Sequence, residues 1–159
     1  MTTFSAAEAL EAAMEIETNG EAFYNAIMEK NPESETADLF RDLAVQERRH
    51  YAVFRQMLER VSSGPDIPDP EYDQYMMYMR VALDRALFSG EDKALLLAKE
   101  ANDVDSALRA ALGFEKDTLL FFYDLREMVS ERDRDSITRI IREEKIHVRR
   151  LAGMLQERK

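Results

Sequence analysis

The sequence predicts an all-α protein: a four-helix bundle with one long, partly helical crossover between its second and third helices. Three observations carry that expectation. Apolar residues recur at three- and four-residue spacing over long stretches, and no segment alternates as a strand would. Breakers are few, five Gly and four Pro, and every Pro falls in one of two short linkers. The chain also repeats itself. "ALEAAMEIETNGEAFYNAIME" (residues 9–29) aligns without gaps on "ALRAALGFEKDTLLFFYDLRE" (107–127), and "QERRHYAVFRQML" (46–58) aligns on "EEKIHVRRLAGML" (143–155).

"SAAE" at residues 5–8 reads as a capping box, in which a Ser and a Glu three residues on satisfy each other's backbone N–H groups. It opens a first helix with Leu10, Ala13, Met14, Tyr24, Ile27 and Met28 on one face. "KNPES" (30–34) breaks it. A second helix follows over residues 35–61, with Leu39, Phe40, Leu43, Phe54, Met57 and Leu58 on its stripe. "SSGPDIPDP" (62–70) is a linker. Residues 71–88 are predicted helical, Ser89 and Gly90 interrupt, and "EDKALLLAKEA" (91–101) reads as a short helix. A third long helix spans residues 103–129, along Val104, Leu108, Ala111, Phe122, Leu125 and Val129. Ser130 is placed to cap a fourth, which turns Ile137, Ile140, Leu151 and Met154 inward and runs nearly to Lys159. Each half, 5–61 and 103–157, is then a helix pair with a short loop, hence antiparallel. The crossover, 62–102, is long enough to return along a helix of about 25 residues, roughly 37 Å. The whole chain, 1–159, reads as one domain.

Composition excludes several classes of function. Hydrophobic residues are 45% and charged residues 34%, as in a helix-rich globular protein rather than a disordered one. The formal net charge of −10 argues against a nucleic-acid partner, because phosphate binding calls for a basic surface. There is no Cys, which excludes disulfides, thiol catalysis, iron–sulfur clusters and a rubredoxin-type iron site within this chain. No apolar run of about 18 residues exists, so no membrane span is expected. The acidic start, "MTTFSAAEALEAAME", lacks the features of a signal peptide, and a cytoplasmic location is the expectation.

Six residues break the apolar stripes. On the first helix Glu17 falls between Met14 and Tyr24, with Gly20 beside it. On the second, Glu47 and His50 sit between Leu43 and Phe54. On the third, Glu115 lies between Ala111 and Phe122, with Thr118 beside it. On the fourth, Glu144 and His147 sit between Ile140 and Leu151. Each long helix thus carries one inward Glu, and the second helix of each pair carries Glu-x-x-His. Residues at i and i+3 share a helix face about 5–6 Å apart at Cβ, so each Glu and His can converge on a metal ion. Four ionised carboxylates in a core would be very costly uncompensated, and two divalent cations supply the matching charge. Carboxylate and imidazole together suit iron or manganese. The chain has only two His, and both have a Glu three residues earlier, a coincidence that composition makes rare. The competing reading is a bundle with two Glu–His pairs at the edge of its core and no metal.

These motifs resemble the ferritin-like superfamily of di-iron carboxylate proteins, and within it the rubrerythrin-related branch that lacks a rubredoxin domain. "EIETNGEAFY" and "GFEKDTLLFFY" are similar to the first and third helices of that branch, and "QERRH" and "EEKIH" to the second and fourth. The resemblance extends over nearly the whole chain. It implies a ferritin-like bundle and two iron ions, with manganese as an alternative. It implies Glu17 and Glu115 as terminal ligands, Glu47 and Glu144 as bridges, and His50 and His147 as ligands to one metal each. It further implies reaction with peroxide, dioxygen or ferrous iron, as a peroxidase or ferroxidase. The chain departs from the family pattern at Thr118, where typical rubrerythrins carry a further carboxylate, and in lacking Cys for electron transfer, so an external electron donor is expected.

Other residues carry open readings. Tyr24 either hydrogen-bonds a ligand or relays an electron, or is a plain core tyrosine; its repeat counterpart is Phe122. The cluster "YMMYM" (75–79) reads as crossover packing or a dimer surface rather than haem ligation, and a homodimer is expected. "SERDRDS" (130–136) reads as a solvated turn. The rivals in function are an iron-storage or metal-binding subunit without turnover, and a purely structural helical protein.

Overall fold

In a computed structural model the chain is all-α, and the structure describes residues 5–30, 32, 34–61, 77, 81 and 91–159. The helices are α1 (Ala6–Lys30), α2 (Glu35–Arg60), α3 (Glu91–Glu100), α4 (Val104–Met128) and α5 (Glu131–Glu157). Among the described residues there is no strand. The "YMMYM" cluster (75–79), apart from its Met77, and most of the crossover lie outside the described residues.

Three of the four long helices begin where their caps dictate. The Glu8 amide donates to Ser5 Oγ (3.1 Å) and the Ser5 amide to Glu8 Oε2 (2.7 Å), closing the capping box. Ser34 Oγ accepts from the Ala37 amide and Asp103 Oδ1 from the Ser106 amide. Ser130 behaves differently. It precedes α5 as expected, but its hydroxyl makes no cap bond and instead donates to Asp133 Oδ2 (3.1 Å). Arg60, at the end of α2, reaches the other oxygen, Asp133 Oδ1 (2.7 Å). Residues 130–136 are therefore more than a solvated turn, since Asp133 is buried and ties the start of α5 to the end of α2.

The helices pack as two pairs, α1 on α2 and α4 on α5, and α1 also meets α4 while α2 meets α5. The core is the sum of their apolar stripes, with Leu10, Ile16, Leu43, Leu108, Ile137 and Leu151 fully buried. Met14, Met28, Leu58 and Met154 sit at its margin, partly buried. Helix α3 lies along α1 through Ala94 and Ala98, small buried residues that permit close approach. The Lys30 ammonium caps the end of α3 by donating to the carbonyls of Lys99 and Ala101, both at 2.9 Å.

Aromatic pairs bracket the middle of the bundle. Tyr24 stacks on Phe40 with ring centroids 5.9 Å apart, and Phe54 meets Phe122 at 5.1 Å. Phe40 and Phe54 lie two turns to either side of Glu47 on α2, so the two pairs close off the space between them from both ends of the bundle.

Candidate metal centre

All six residues that break the apolar stripes come together in that space. Glu17, Glu47, Glu115 and Glu144 are fully buried, and His50 and His147 nearly so. Their donor atoms form two overlapping groups, Glu17–Glu47–His50–Glu144 and Glu47–Glu115–Glu144–His147, each within 4.8 Å internally. Glu47 and Glu144 belong to both. The Glu144 carboxylate shows why: Oε1 lies 2.8 Å from His50 Nδ1 and Oε2 lies 2.7 Å from His147 Nδ1. The imidazoles face each other with centroids 5.8 Å apart. His50 Nδ1 is also 3.6 Å from Glu17 Oε1, while His147 Nδ1 is 3.5 Å from Glu47 Oε1 and 3.6 Å from Glu115 Oε1.

These approaches are close but not aligned as hydrogen bonds. Among the described residues, both oxygens of Glu17, Glu47 and Glu144, Oε2 of Glu115, Nδ1 of His50 and both ring nitrogens of His147 have no hydrogen-bond partner. Buried polar atoms are ordinarily satisfied. Two donors about 2.1 Å from one cation and at right angles to each other are roughly 3 Å apart, the spacing seen here. Carboxylate oxygens and imidazole nitrogens, without thiolate, are a donor set for iron or manganese. On both counts the residues fit a pair of divalent ions.

The electrostatics of the six side chains point the same way. Burial pushes the Glu17 and Glu47 carboxyls up, Glu47 further because Glu17 and Glu144 crowd it. Burial, with the Glu144 charge, raises Glu115 to about 8. Burial opposes ionisation at Glu144 too, but the His50 and His147 imidazoles outweigh it and hold that carboxyl below the usual range. Burial likewise opposes charge on the imidazoles. Glu17 and Glu144 overcome it at His50, and Glu115 and Glu144 raise His147 to about 10. The raised groups keep protons inside the cluster.

Around the donors sits a set of supporting contacts. The Tyr24 hydroxyl donates to Glu115 Oε1, so Tyr24 spans from α1 to the carboxylate on α4. His50 Nε2 bonds Glu143 Oε2 at 2.7 Å. With Nε2 donating to Glu143, Nδ1 is the nitrogen turned towards the site. Glu143 is partly exposed and stands beside a cavity of about 230 Å³ between α2 and α5, which Arg49 and Arg139 also line. Nothing in the local pattern around Glu143 separates it from the chain's many surface glutamates.

Gly20 is a further member of the site. A Cβ there would lie 2.9 Å from Glu47 Oε2 and 2.9 Å from Phe114 Cε1. Gly within a helix ordinarily costs about 1 kcal/mol relative to Ala. Here the missing side chain makes room for the Glu47 carboxylate. Phe114 is packed in the core, so in Gly20→Ala it is Glu47 that must move. That variant is expected to weaken metal binding by about tenfold or more with helix content unchanged, measured by competition with a chelator. Equal affinity would show that Glu47 is not held by this contact.

A family model described as Rubrerythrin matches residues 8–155. The chain belongs to the rubrerythrin family. Among solved structures, a Thermotoga maritima chain provisionally described as a ferritin-like diiron-carboxylate protein is 24% identical, with a TM-score of 0.71 over 100% of this chain and 99% of that one. The rubrerythrin fold of this chain is thus ferritin-like. No curated protein matches the sequence significantly. Among the described residues, no helix is long and apolar enough to cross a membrane.

Proposed function

We propose that this rubrerythrin-family chain is a di-iron carboxylate oxidoreductase that reacts with hydrogen peroxide or dioxygen, as a peroxidase or a ferroxidase. The observation that supports the reading is the pair of buried donor groups that share Glu47 and Glu144 and leave their atoms otherwise unpartnered. Glu17 and His50 would hold one metal, Glu115 and His147 the other, and Glu47 and Glu144 both. Iron is the metal of choice for this donor set, with manganese as the alternative. When bound, a reduced pair of irons supplies the two electrons that peroxide needs to become water. The chain's own residues prepare the place. Tyr24 steadies Glu115, Glu143 fixes the His50 tautomer, and the Tyr24–Phe40 and Phe54–Phe122 pairs keep bulk water out. Because the chain carries no Cys, the electrons come from an external donor. A cytoplasmic homodimer completes the reading.

The test is ferrous oxidation under peroxide. The purified protein should retain about two metal ions per chain and oxidise Fe(II) faster than the free ion under the same conditions. Glu144→Ala removes the carboxylate that faces both imidazoles and should bring the rate down to that of free Fe(II). Equal rates for the wild type and Glu144→Ala would assign the oxidation to solution chemistry. Size-exclusion chromatography separates the storage alternative, which gives a large iron-loaded particle where the oxidoreductase gives a dimer.

A further inference from the structure

Thr118 stands one turn after Glu115 on the inward face of α4, where the aligned halves place Gly20 on α1. Its side chain is fully buried, yet among the described residues its Oγ1 has no hydrogen-bond partner. A helical threonine ordinarily satisfies its hydroxyl at the carbonyl four residues back. Thr18 does so on α1, donating to the Met14 carbonyl at 3.0 Å. Thr118 makes no such bond. A buried hydroxyl without a partner is costly, and a valine of nearly the same shape would avoid that cost. Glu115 Oε2 and both His147 nitrogens are unpartnered as well among the described residues, so none of them takes it up. The Tyr24 hydroxyl, by contrast, is engaged with Glu115. On α1 the matching position offers nothing, because Glu47 and Phe114 fill the space over Gly20.

The geometry points to Thr118 as the hydrogen-bond donor to the small oxygen-containing oxidant, peroxide or dioxygen, that the site admits. The inference rests on the di-iron reading and adds a ligand-binding residue to it. Where the wider family resemblance leads one to expect a further carboxylate, this chain presents a neutral donor. Thr118 therefore holds the guest molecule rather than a metal.

The experiment titrates the ferric, iron-loaded protein with azide, a small anion that can accept the same hydrogen bond, and follows visible charge-transfer absorption. Thr118→Val should weaken azide binding about fivefold, the worth of one hydrogen bond of about 1 kcal/mol. Thr118→Ser keeps the hydroxyl and should bind azide as the wild type does. Iron content should be equal in all three. The stripped Thr118→Val protein should melt at or above the stripped wild type, since a lone buried hydroxyl has become a methyl group. Equal azide affinity in Thr118→Val and wild type at equal iron content overturns the inference. So does a stripped Thr118→Val protein that melts well below wild type, because the hydroxyl would then have a structural partner. A wild type that binds no iron sinks the di-iron reading, and this inference with it.

Discussion

Fe(II) or Mn(II), added without oxygen to the metal-stripped protein, is expected to raise its melting temperature, and Glu47→Ala to remove most of that rise. The arranged donors exist only in the folded chain, so metal binding adds to folding stability. At a hundredfold excess over the dissociation constant the gain is about 2.7 kcal/mol, which for a chain of this size is roughly 5–11 °C. Glu47 belongs to both donor groups, so its loss weakens both at once. The stripped Glu47→Ala protein should nevertheless melt close to the stripped wild type. It trades a small cavity for the removal of two buried, unpartnered oxygens crowded by Glu17 and Glu144. The stripped wild type should still fold, because its core of Leu, Ile and Phe side chains is independent of the site. A wild-type melt that neither metal moves, with no metal retained after dialysis, would mean that the six residues are not a metal site.

How much of this is legible in the sequence depends on the range of the signal. The helix starts are local, and the Ser5–Glu8 box and the Ser34 and Asp103 caps lie within three residues of what they bond. The placement of Glu17, Glu47, His50, Glu115, Glu144 and His147 was legible for a similar reason. A charge that interrupts an apolar stripe must face the core, whatever packs opposite. What stayed hidden depends on contacts between distant segments. Glu143 meets His50 from 93 residues away, and nothing in its own surroundings marks it. Gly20 could be seen beside Glu17, but its role follows from Phe114 and Glu47 arriving within 2.9 Å. The family resemblance implies a carboxylate where Thr118 stands, and only burial together with a missing partner gives its hydroxyl a purpose. Residues 130–136 look like solvated surface until Arg60 reaches Asp133.

The stripped protein should also lose stability as pH rises from 6 to 8, and the metal-loaded protein should not share that loss. Five groups share the sign, since Glu17, Glu47 and His50 are raised too, and Glu115 and His147 show its range. Glu115 titrates at about 8 when folded, against an ordinary 4.5, chiefly because burial disfavours its charge. Its burial is free of penalty only while it is protonated, so a cost appears above 4.5 and is complete above 8. His147 titrates at about 10 against an ordinary 6.5, because Glu115 and Glu144 overcome the opposing effect of burial. The stability it contributes is fully present below 6.5 and is lost as pH climbs towards 10. Between pH 6 and 8 the folded chain therefore binds more protons than the unfolded one at both groups, and unfolding becomes easier with each unit. Glu144, held low, runs the other way, but its contribution is complete above the ordinary carboxylate range and flat in this window. One retained proton corresponds to about 1.4 kcal/mol per pH unit, roughly 3–6 °C for a chain of this length. Metal changes the account because ligation requires the deprotonated groups, so binding expels these protons and its affinity increases with pH. Thermal melts of stripped and loaded protein at pH 6, 7 and 8 should therefore diverge, the gap widening as pH rises. The rest of the surface charge is common to both forms, so the difference isolates the site. A gap that stays constant from pH 6 to 8 would mean that protons and metal do not compete for the same six side chains.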